Sequence, residues 1–250
     1  MDPVLVSIIT PLYNSKETLD STFNSVFSQT FKNWEWIIVD DCSTDESLSI
    51  VEKLSKNHKR IKILKTIKNS GTAVARNIGL REACGRYITF LDSDDLLDSD
   101  YLEEQIKFIK ENGPLVSAGY RRKTEKTCTD FFVPEKNTYE SVLAGCPLSC
   151  LTTMYDRKTI GDVFFPEDLK KVEDYVFWLE ILKRGFVAIG NPKVLATYRI
   201  FKNSKSRNKF KLIKYYFYIY HKTQGIGWFK SWFYVIRWAF YGKKKYKNVR

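Results

Sequence analysis

Tyr87-Ile88-Thr89-Phe90-Leu91 runs directly into Asp92-Ser93-Asp94-Asp95. A short β-branched and aromatic run ending in clustered acids reads as a buried strand whose carboxyl end carries polar chemistry. The same grammar recurs along the chain. Val6-Ser7-Ile8-Ile9-Thr10 leads into Pro11-Leu12-Tyr13-Asn14, and Trp36-Ile37-Ile38-Val39 leads into Asp40-Asp41. Ile61-Lys62-Ile63-Leu64 and Leu115-Val116-Ser117-Ala118 complete the set. Helix-length stretches separate these runs at residues 16–29, 44–57, 72–83 and 100–112. Ser43 or Thr44 is placed to cap the second, and Gly113-Pro114 closes the fourth. Strands alternating with helices predict an α/β fold, a mostly parallel sheet flanked by helices. The near-continuous apolar runs suit a sheet covered on both faces. Residues 121–138 break the pattern as a loop or excursion strands. A helix is expected again at residues 173–184, stopped by Gly185, then strands at 187–189 and 194–198.

In an open α/β sheet, ligands bind outside the carboxyl ends of the strands, and here those ends are acidic. The first turn, Thr10-Pro11-Leu12-Tyr13-Asn14, has no glycine, so it lacks the close backbone approach of a dinucleotide-binding turn, and no phosphate-binding P-loop occurs. A carboxylate-rich crevice repels phosphate unless a divalent cation lies between. Asp92 and Asp94, separated by one residue, are placed to present oxygens to one Mg²⁺ or Mn²⁺ that also takes diphosphate oxygens. A lone DxD is more often a turn or capping cluster. The second acid pair at a neighbouring strand end shifts the reading to a nucleotide–metal site. An EF-hand does not fit, since Leu97 stands where that loop needs glycine.

With 250 residues, 44% hydrophobic and 15% aromatic, the chain has material for one large domain, and a disordered or fibrous chain is excluded. Five cysteines form no CxxC pair and only two histidines are present, so a Cys/His zinc site is not expected and a reducing compartment is the simplest reading. The opening Met1-Asp2-Pro3 carries no signal-peptide pattern. No window reaches the roughly 20 uncharged apolar residues of a membrane span; residues 226–241 come nearest and are interrupted by Lys230 and Arg237. A cytoplasmic location follows as an expectation.

Four ordered blocks carry a resemblance. Residues 6–14, then Ile38-Val39-Asp40-Asp41-Cys42-Ser43-Thr44-Asp45, then Asn69-Ser70-Gly71 with Ala75-Arg76-Asn77, then Phe90-Leu91-Asp92-Ser93-Asp94-Asp95 are similar in order and spacing to the family 2 glycosyltransferases of GT-A (Rossmann-like) fold. The resemblance spans about residues 4–200, nearest to the non-processive enzymes of bacterial capsule, O-antigen and teichuronic acid assembly. It implies inverting, metal-dependent transfer of one sugar from a UDP-hexose or UDP-HexNAc to an acceptor hydroxyl. It further implies that Pro11, Tyr13, Asn14 and Asp41 line the uracil and ribose pocket, with Asp40 supporting the turn. Asn69, Gly71 and Arg76 would close over the base, Asp92 with Ser93 would approach the ribose or donor sugar, and Asp94 would hold the metal. Cys42 replaces a common glycine, whose use there suggests positive φ. Val172-Glu173-Asp174-Tyr175-Val176-Phe177-Trp178 resembles the family's acidic helix start, implying Asp174 as catalytic base. By position alone, Glu173-Asp174 would more often be a helix-dipole pair. Glu173, Trp178 and Arg199 are candidate acceptor or diphosphate contacts, with core packing the commoner role for a lone Trp. Residues 145–153 are small and polar enough for an acceptor loop. No QxxRW signature of the processive enzymes occurs, which favours one sugar per encounter.

The charge divides the chain. Residues 1–198 hold 26 basic and 29 acidic side chains; residues 199–250 hold 15 basic, no acidic and 16 aromatic ones, which accounts for the net +12. The expected domains are therefore a catalytic unit at 1–200, with a nucleotide-binding half at 1–115 and an acceptor half at 116–200, and an amphipathic helical tail at 201–250. In the tail, Phe210, Ile213, Phe217 and Tyr220 fall on one helical face beside a stripe of Lys211, Lys214, Tyr218 and Lys222. Further on, Phe229, Trp232, Phe233, Ile236 and Phe240 form a stripe flanked by Lys230, Tyr234, Arg237 and Tyr241, before a polybasic end at Lys243-Lys244-Lys245 and Lys247. Such helices suit an anionic membrane surface better than single-stranded nucleic acid, and no nucleic acid partner is expected. Bland packing on the catalytic unit is the other reading. A peripheral enzyme at the inner face of the membrane with a lipid-linked glycan acceptor is the expectation. Deleting residues 203–250 would then abolish vesicle binding and spare activity on a soluble acceptor mimic. A degenerate module that binds a nucleotide-sugar or polyanion without chemistry is the alternative, opposed by the joint retention of Asp94 and Asp174.

Overall fold

The computed structural model describes residues 5–56, 58–201 and 209–245, the side chains of 209–211 and 243–245 excepted. The first half alternates as expected: β1 (Val6–Leu12), α1 (Leu19–Phe27), β2 (Trp34–Asp40), α2 (Ser47–Ser55), β3 (Ile61–Lys65), α3 (Thr72–Glu82) and β4 (Tyr87–Phe90). There follow β5 (Leu96–Leu97), α4 (Tyr101–Asn112), β6 (Leu115–Lys123), β7 (Cys128–Phe131), β8 (Lys136–Asn137), α5 (Tyr139–Ala144), β9 (Thr153–Asp156) and α6 (Arg157–Ile160). The chain continues through α7 (Glu173–Lys183), β10 (Ala188–Arg199), α8 (Lys209–Tyr218), a π-helical turn (Ile219–Thr223) and α9 (Trp228–Lys245).

One sheet runs in the order β3-β2-β1-β4-β9-β6-β10-β5, with β7 on β6 and β8 on β10. Strands β1 to β4 are mutually parallel. β9 enters antiparallel to both β4 and β6, so β6 and its parallel neighbour β10 point the same way as the first four. The carboxyl ends of β1, β2, β3, β4 and β10 therefore share one edge. Pro11 is tolerated in a central strand because β4 pairs β1 only as far as Ile9, leaving no ladder bond for the missing N–H on that side.

Alternation along each strand divides the core. Val6, Ile8, Trp36 and Ile38 meet α1, α2 and α4 on one face, and Ile9, Ile37, Ile88 and Phe90 meet α3, α5 and α7 on the other. Three expectations change: the cap of α2, the division of the late strand and the place of Tyr234. The cap of α2 is not Ser43 or Thr44; Asp45 accepts from the Ser47 N–H at 2.9 Å, while Ser43 and Thr44 are engaged by Asn14. The excursion strands, one of the two readings for 121–138, do appear: the stretch extends β6, adds β7 as its hairpin partner and ends in β8. The two late strands are one, β10, whose register shifts around Pro192 absorb the break between them. The tail packs on the rest of the chain, the second of its two readings: Tyr216, Ile219, Tyr220, Tyr234 and Val235 belong to the same buried cluster as Tyr175 and Leu143. Tyr234, expected beside the basic stripe, is buried. Phe210, Lys211, Lys243-Lys244-Lys245 and Lys247 lie outside the described side chains. No helix among the described residues is long and apolar enough to cross a membrane.

Candidate active site

The wall at β1 and β2 is built from backbone held by carboxylates and amides. Asn14, in the left-handed region at φ 48°, accepts the Thr44 N–H at 2.8 Å and that of Asp45 at 3.3 Å, splicing the first turn to the second. Asp40 accepts the Ser43 N–H at 3.3 Å, supporting the turn as expected. Asp41 is more fully committed. Its Oδ1 accepts from the Thr66 hydroxyl at 2.9 Å and the Ser70 N–H at 2.8 Å, and Oδ2 from the Gly71 N–H at 2.7 Å. Asn69 donates to the Asp41 carbonyl at 3.3 Å. The 66–71 loop is thus strapped to the end of β2. Gly71 sits at φ 94°, a value that favours glycine, with open space where a Cβ would stand. Cys42 keeps the conformation expected of the glycine it replaces, φ 59°, and its thiol donates to the Thr66 carbonyl at 3.2 Å. Pro11 is partly exposed and Tyr13 exposed on this edge.

The acids after β4 are held from behind. Thr18 and Thr22 of the α1 start donate to the Ser93 carbonyl at 2.8 and 3.1 Å, Thr22 also reaches the Asp95 carbonyl, and the Ser15 and Ser93 hydroxyls meet at 2.7 Å. Arg199, at the end of β10, donates its backbone N–H to Asp95 Oδ1 at 2.9 Å. Its guanidinium is spent on the Asp94 carbonyl, the Ser21 hydroxyl and Thr22 Oγ1. Arg199 therefore clamps the acidic turn, a role that the expectation of a diphosphate contact did not include. Burial, then the neighbouring Asp92 charge, pushes the Asp94 pKa up to about 6. Asp95 is driven up further by burial and by Asp94, and its Oδ2 is buried without a partner.

Arg76 joins the acidic turn to α7. Its guanidinium contacts Asp92 Oδ1 at 2.7 Å and Glu173 Oε1 at 3.3 Å. It was expected to close over a base. It is buried because Ala73, Arg76, Asn77 and Leu80 repeat at helical spacing on the core face of α3. Glu173 likewise turns inward to Arg76; burial and then the Asp174 charge raise its pKa, with Arg76 opposing. Asp174 is left half-buried at the edge, its Oδ1 accepting the Tyr175 N–H at 2.8 Å. Val172, which starts α7, is left-handed at φ 56°, a strained conformation for a β-branched residue. Trp178 has no exposed surface and packs edge-on against Phe90 and Phe177, so it serves the core and no acceptor ring can stack on it. Residues 145–153 are mostly buried rather than an open loop.

Sequence reading missed three contributors: the hydroxyl run of Ser15, Thr18, Ser21 and Thr22; Thr66; and Cys150. The last is fully enclosed beside Arg76, and burial holds its thiol up, with Asp174, Asp92 and Glu173 adding and Arg76 opposing. The density of Ser and Thr between Ser15 and Thr22 was the available signal for the first.

Among the described residues, no three His, Cys, Asp or Glu side chains surround one point. With Asp92 Oδ1 held by Arg76, the donors left to a cation here are the Asp94 carboxylate and the second oxygen of Asp92. Such a pair suits a hard ion that takes one or two carboxylates and fills its shell with water and phosphate oxygens.

The family model of Glycosyl transferase family 2 matches residues 7–160. A Bacillus subtilis (strain 168) protein whose name provisionally assigns it to teichuronic acid biosynthesis, the glycosyltransferase TuaG, is 39% identical over 245 residues, 96% of this chain and 97% of that one. The Escherichia coli UDP-Glc:alpha-D-GlcNAc-diphosphoundecaprenol beta-1,3-glucosyltransferase WfgD is 40% identical over 217 residues, 86% and 84% of the two chains. The crystal structure of S. aureus TarS 1–349 in complex with UDP superposes with a TM-score of 0.65 at 28% identity, over 78% of this chain and 60% of that one. The mannosyltransferase PcManGT from Pyrobaculum calidifontis shares the fold, with a TM-score of 0.68 at 20% identity over 91% of this chain and 66% of that one.

Proposed function

The chain belongs to glycosyl transferase family 2 and is a glycosyltransferase, and from that premise we propose that it transfers one hexose or N-acetylhexosamine from a UDP-linked donor, with inversion, to a hydroxyl of a lipid-linked glycan. The observation that supports this reading is the bridge through Arg76, which ties Glu173, the chain neighbour of Asp174, to Asp92 after β4. The names of the relatives support the donor and acceptor classes: WfgD is named for UDP-Glc and a diphosphoundecaprenol-linked sugar, and TarS was crystallised with UDP. Surface polysaccharide assembly at the inner face of the membrane is the setting that suits such an acceptor, with the basic tail as the membrane contact.

In this reading Pro11, Tyr13, Asn14 and the strapped 66–71 loop, with Asn69 and Gly71, form the pocket for uracil and ribose. Asp41 retains an acceptor site on Oδ2 for a donor on the base. Asp94, with the oxygen of Asp92 that Arg76 leaves open, would hold Mg²⁺ or Mn²⁺. A bound cation of this kind stabilises charge on a departing diphosphate. Asp174 Oδ2 takes the proton from the acceptor hydroxyl as that oxygen attacks the anomeric carbon, on the face opposite the leaving UDP. Asp174 is well placed for this because its other oxygen is already fixed by the Tyr175 N–H. Arg199, Thr18 and Thr22 keep the acidic turn in one conformation, so little is spent ordering it when the donor arrives.

The test is calorimetric titration of UDP with Mn²⁺, then with EDTA, on the native chain and on Asp94→Ala. Metal-dependent binding that disappears in the variant is the expected result. UDP binding that is equally tight with EDTA and in Asp94→Ala would sink the metal assignment, and no binding in any arm would sink the UDP donor.

A further inference from the structure

α9 has two opposite faces. Ser231, Tyr234 and Val235 are buried against the domain, and Trp238 stacks on Tyr216 with ring centroids 4.0 Å apart. On the other side Phe229 is 84% exposed, Phe240 66%, Ile236 55% and Phe233 53%, with Trp232 beside them at 38%. At about 100° per residue these five side chains fall within one arc of the helix, opposite the buried set. Lys230 and Arg237 flank the arc, both exposed. A contiguous run of large aromatic side chains held outward on a folded surface marks a contact site.

We infer that α9 is an interfacial helix lying in the plane of an anionic bilayer. Phe229, Trp232, Phe233, Ile236 and Phe240 enter the boundary between headgroups and acyl chains, and Lys230 and Arg237 sit over the phosphates. The inference rests on the transferase reading only in giving the membrane a purpose, the lipid-linked acceptor. Charge selects the occupant. Residues 199–250 carry 15 basic side chains and no acid, so a second copy laid on this face would bring two positive tails together, whereas anionic lipid neutralises them. Polarity selects the mode: no helix among the described residues is long and apolar enough to cross, and α9 carries Lys230 and Arg237 along its length.

The underside makes the contact more than a tether. Tyr220 donates to the Leu143 carbonyl at 2.9 Å, and the Tyr175 hydroxyl donates to that of Tyr220 at 3.2 Å. Tyr139 donates to Gln224 at 2.9 Å, and Gln224 to Glu180 at 3.1 Å. Gly145 lies so close under the Tyr241 ring that a Cβ there would collide with it. The Tyr220 and Gln224 contacts bolt the π-helical turn that leads into α9 to α5 and α7, Tyr241 seats α9 itself on Gly145 at the end of α5, and α7 begins with Glu173 and Asp174. Docking on a bilayer therefore fixes the height and tilt at which the Asp174 end of the site stands above the headgroups.

The test is flotation of the full chain with phosphatidylcholine vesicles, neutral or with about one third phosphatidylglycerol, at low and high salt. The native chain floats with the anionic vesicles, less at high salt, and stays behind with the neutral ones. Phe229→Ser/Phe233→Ser/Phe240→Ser lowers the bound fraction at least ~10-fold, and Lys230→Glu/Arg237→Glu lowers it while removing the salt dependence. UDP titration on the same variants is unchanged, which shows that they fold. Should the triple variant not fold, quenching of tryptophan emission in the native chain by lipids brominated near the headgroup replaces it. Absence of flotation and of quenching overturns the inference, and so does a dimer in solution that the triple variant dissociates. Flotation without UDP binding leaves this inference standing and removes the donor assignment instead.

Discussion

Arg76 and Glu173 stand 97 positions apart in the chain and meet at 3.3 Å, the same guanidinium holding Asp92 at 2.7 Å. The contact joins α3 to the start of α7 beside the acids that follow β4. Removing the cation would leave two carboxylates facing each other in a largely buried space. Arg76→Met is expected to cost about 3 kcal/mol, the scale of breaking one side of a buried ion pair. Chemical denaturation measures the loss; a change under 1 kcal/mol would mean that the acids find other partners.

Asp174→Asn keeps the Oδ1 that accepts from the Tyr175 N–H, so the start of α7 is preserved and only proton acceptance is lost. Turnover should fall at least ~10²-fold with UDP affinity unchanged. Steady-state rates with a UDP-sugar and a lipid-linked acceptor decide it, and unaltered turnover would remove Asp174 as the base.

Asp94 gives the stability a pH signature. Its folded pKa of about 6 lies above the ordinary 3.8, so the ionised carboxylate burdens the folded state at neutral pH. The burden is fully present above about pH 6 and is relieved as the pH falls toward 4. Asp94→Asn should be more stable than the native chain at pH 7.5 by ~2 kcal/mol, discounted for partial exposure, with the difference gone near pH 4. Metal-free thermal melts across that range test it. A variant no more stable at pH 7.5 would show that Asp94 bears no such cost.

Deleting residues 203–250 was expected to spare the catalytic unit. The packing argues otherwise. Ile219 and Tyr220 are fully buried, each worth about 1.5–3 kcal/mol of lost burial, and their removal would bare Leu143 and Tyr175 to water. The truncated chain should be insoluble or melt at much lower temperature, and circular dichroism on heating would register it. A truncation with native melting and activity would restore the view of the tail as an appendage.

The fold was legible because the strands carry their period and their acidic ends openly, and four motifs fixed the order. The roles of individual charged residues were less so. Arg76 looked like a ligand for a base because the motif was read as a string; its i, i+3, i+4, i+7 company of Ala73, Asn77 and Leu80 would have put it in the core. Arg199 depends on β10 returning to the edge beside α1, a relation across some 180 positions that no local pattern encodes. Cys42 was the converse case: its replacement of the usual glycine suggested a slightly different turn, yet it keeps the positive φ that glycine implies there. The tail's aromatic stripe was found from periodicity alone, while the opposite, domain-facing side was underestimated because tyrosines there look amphipathic.

The left-handed residue at Val172 works as an indexing notch for the helix that follows. Each α-helical residue advances about 100°, so the place where α7 starts decides the bearing of every side chain on it. Sliding that start by one position would send Glu173 toward the edge and swing Asp174 a quarter-turn and more into the protein. A strained valine, rather than a permissive linker, leaves the helix one starting point, and that is what keeps the inward acid and the outward acid from exchanging places.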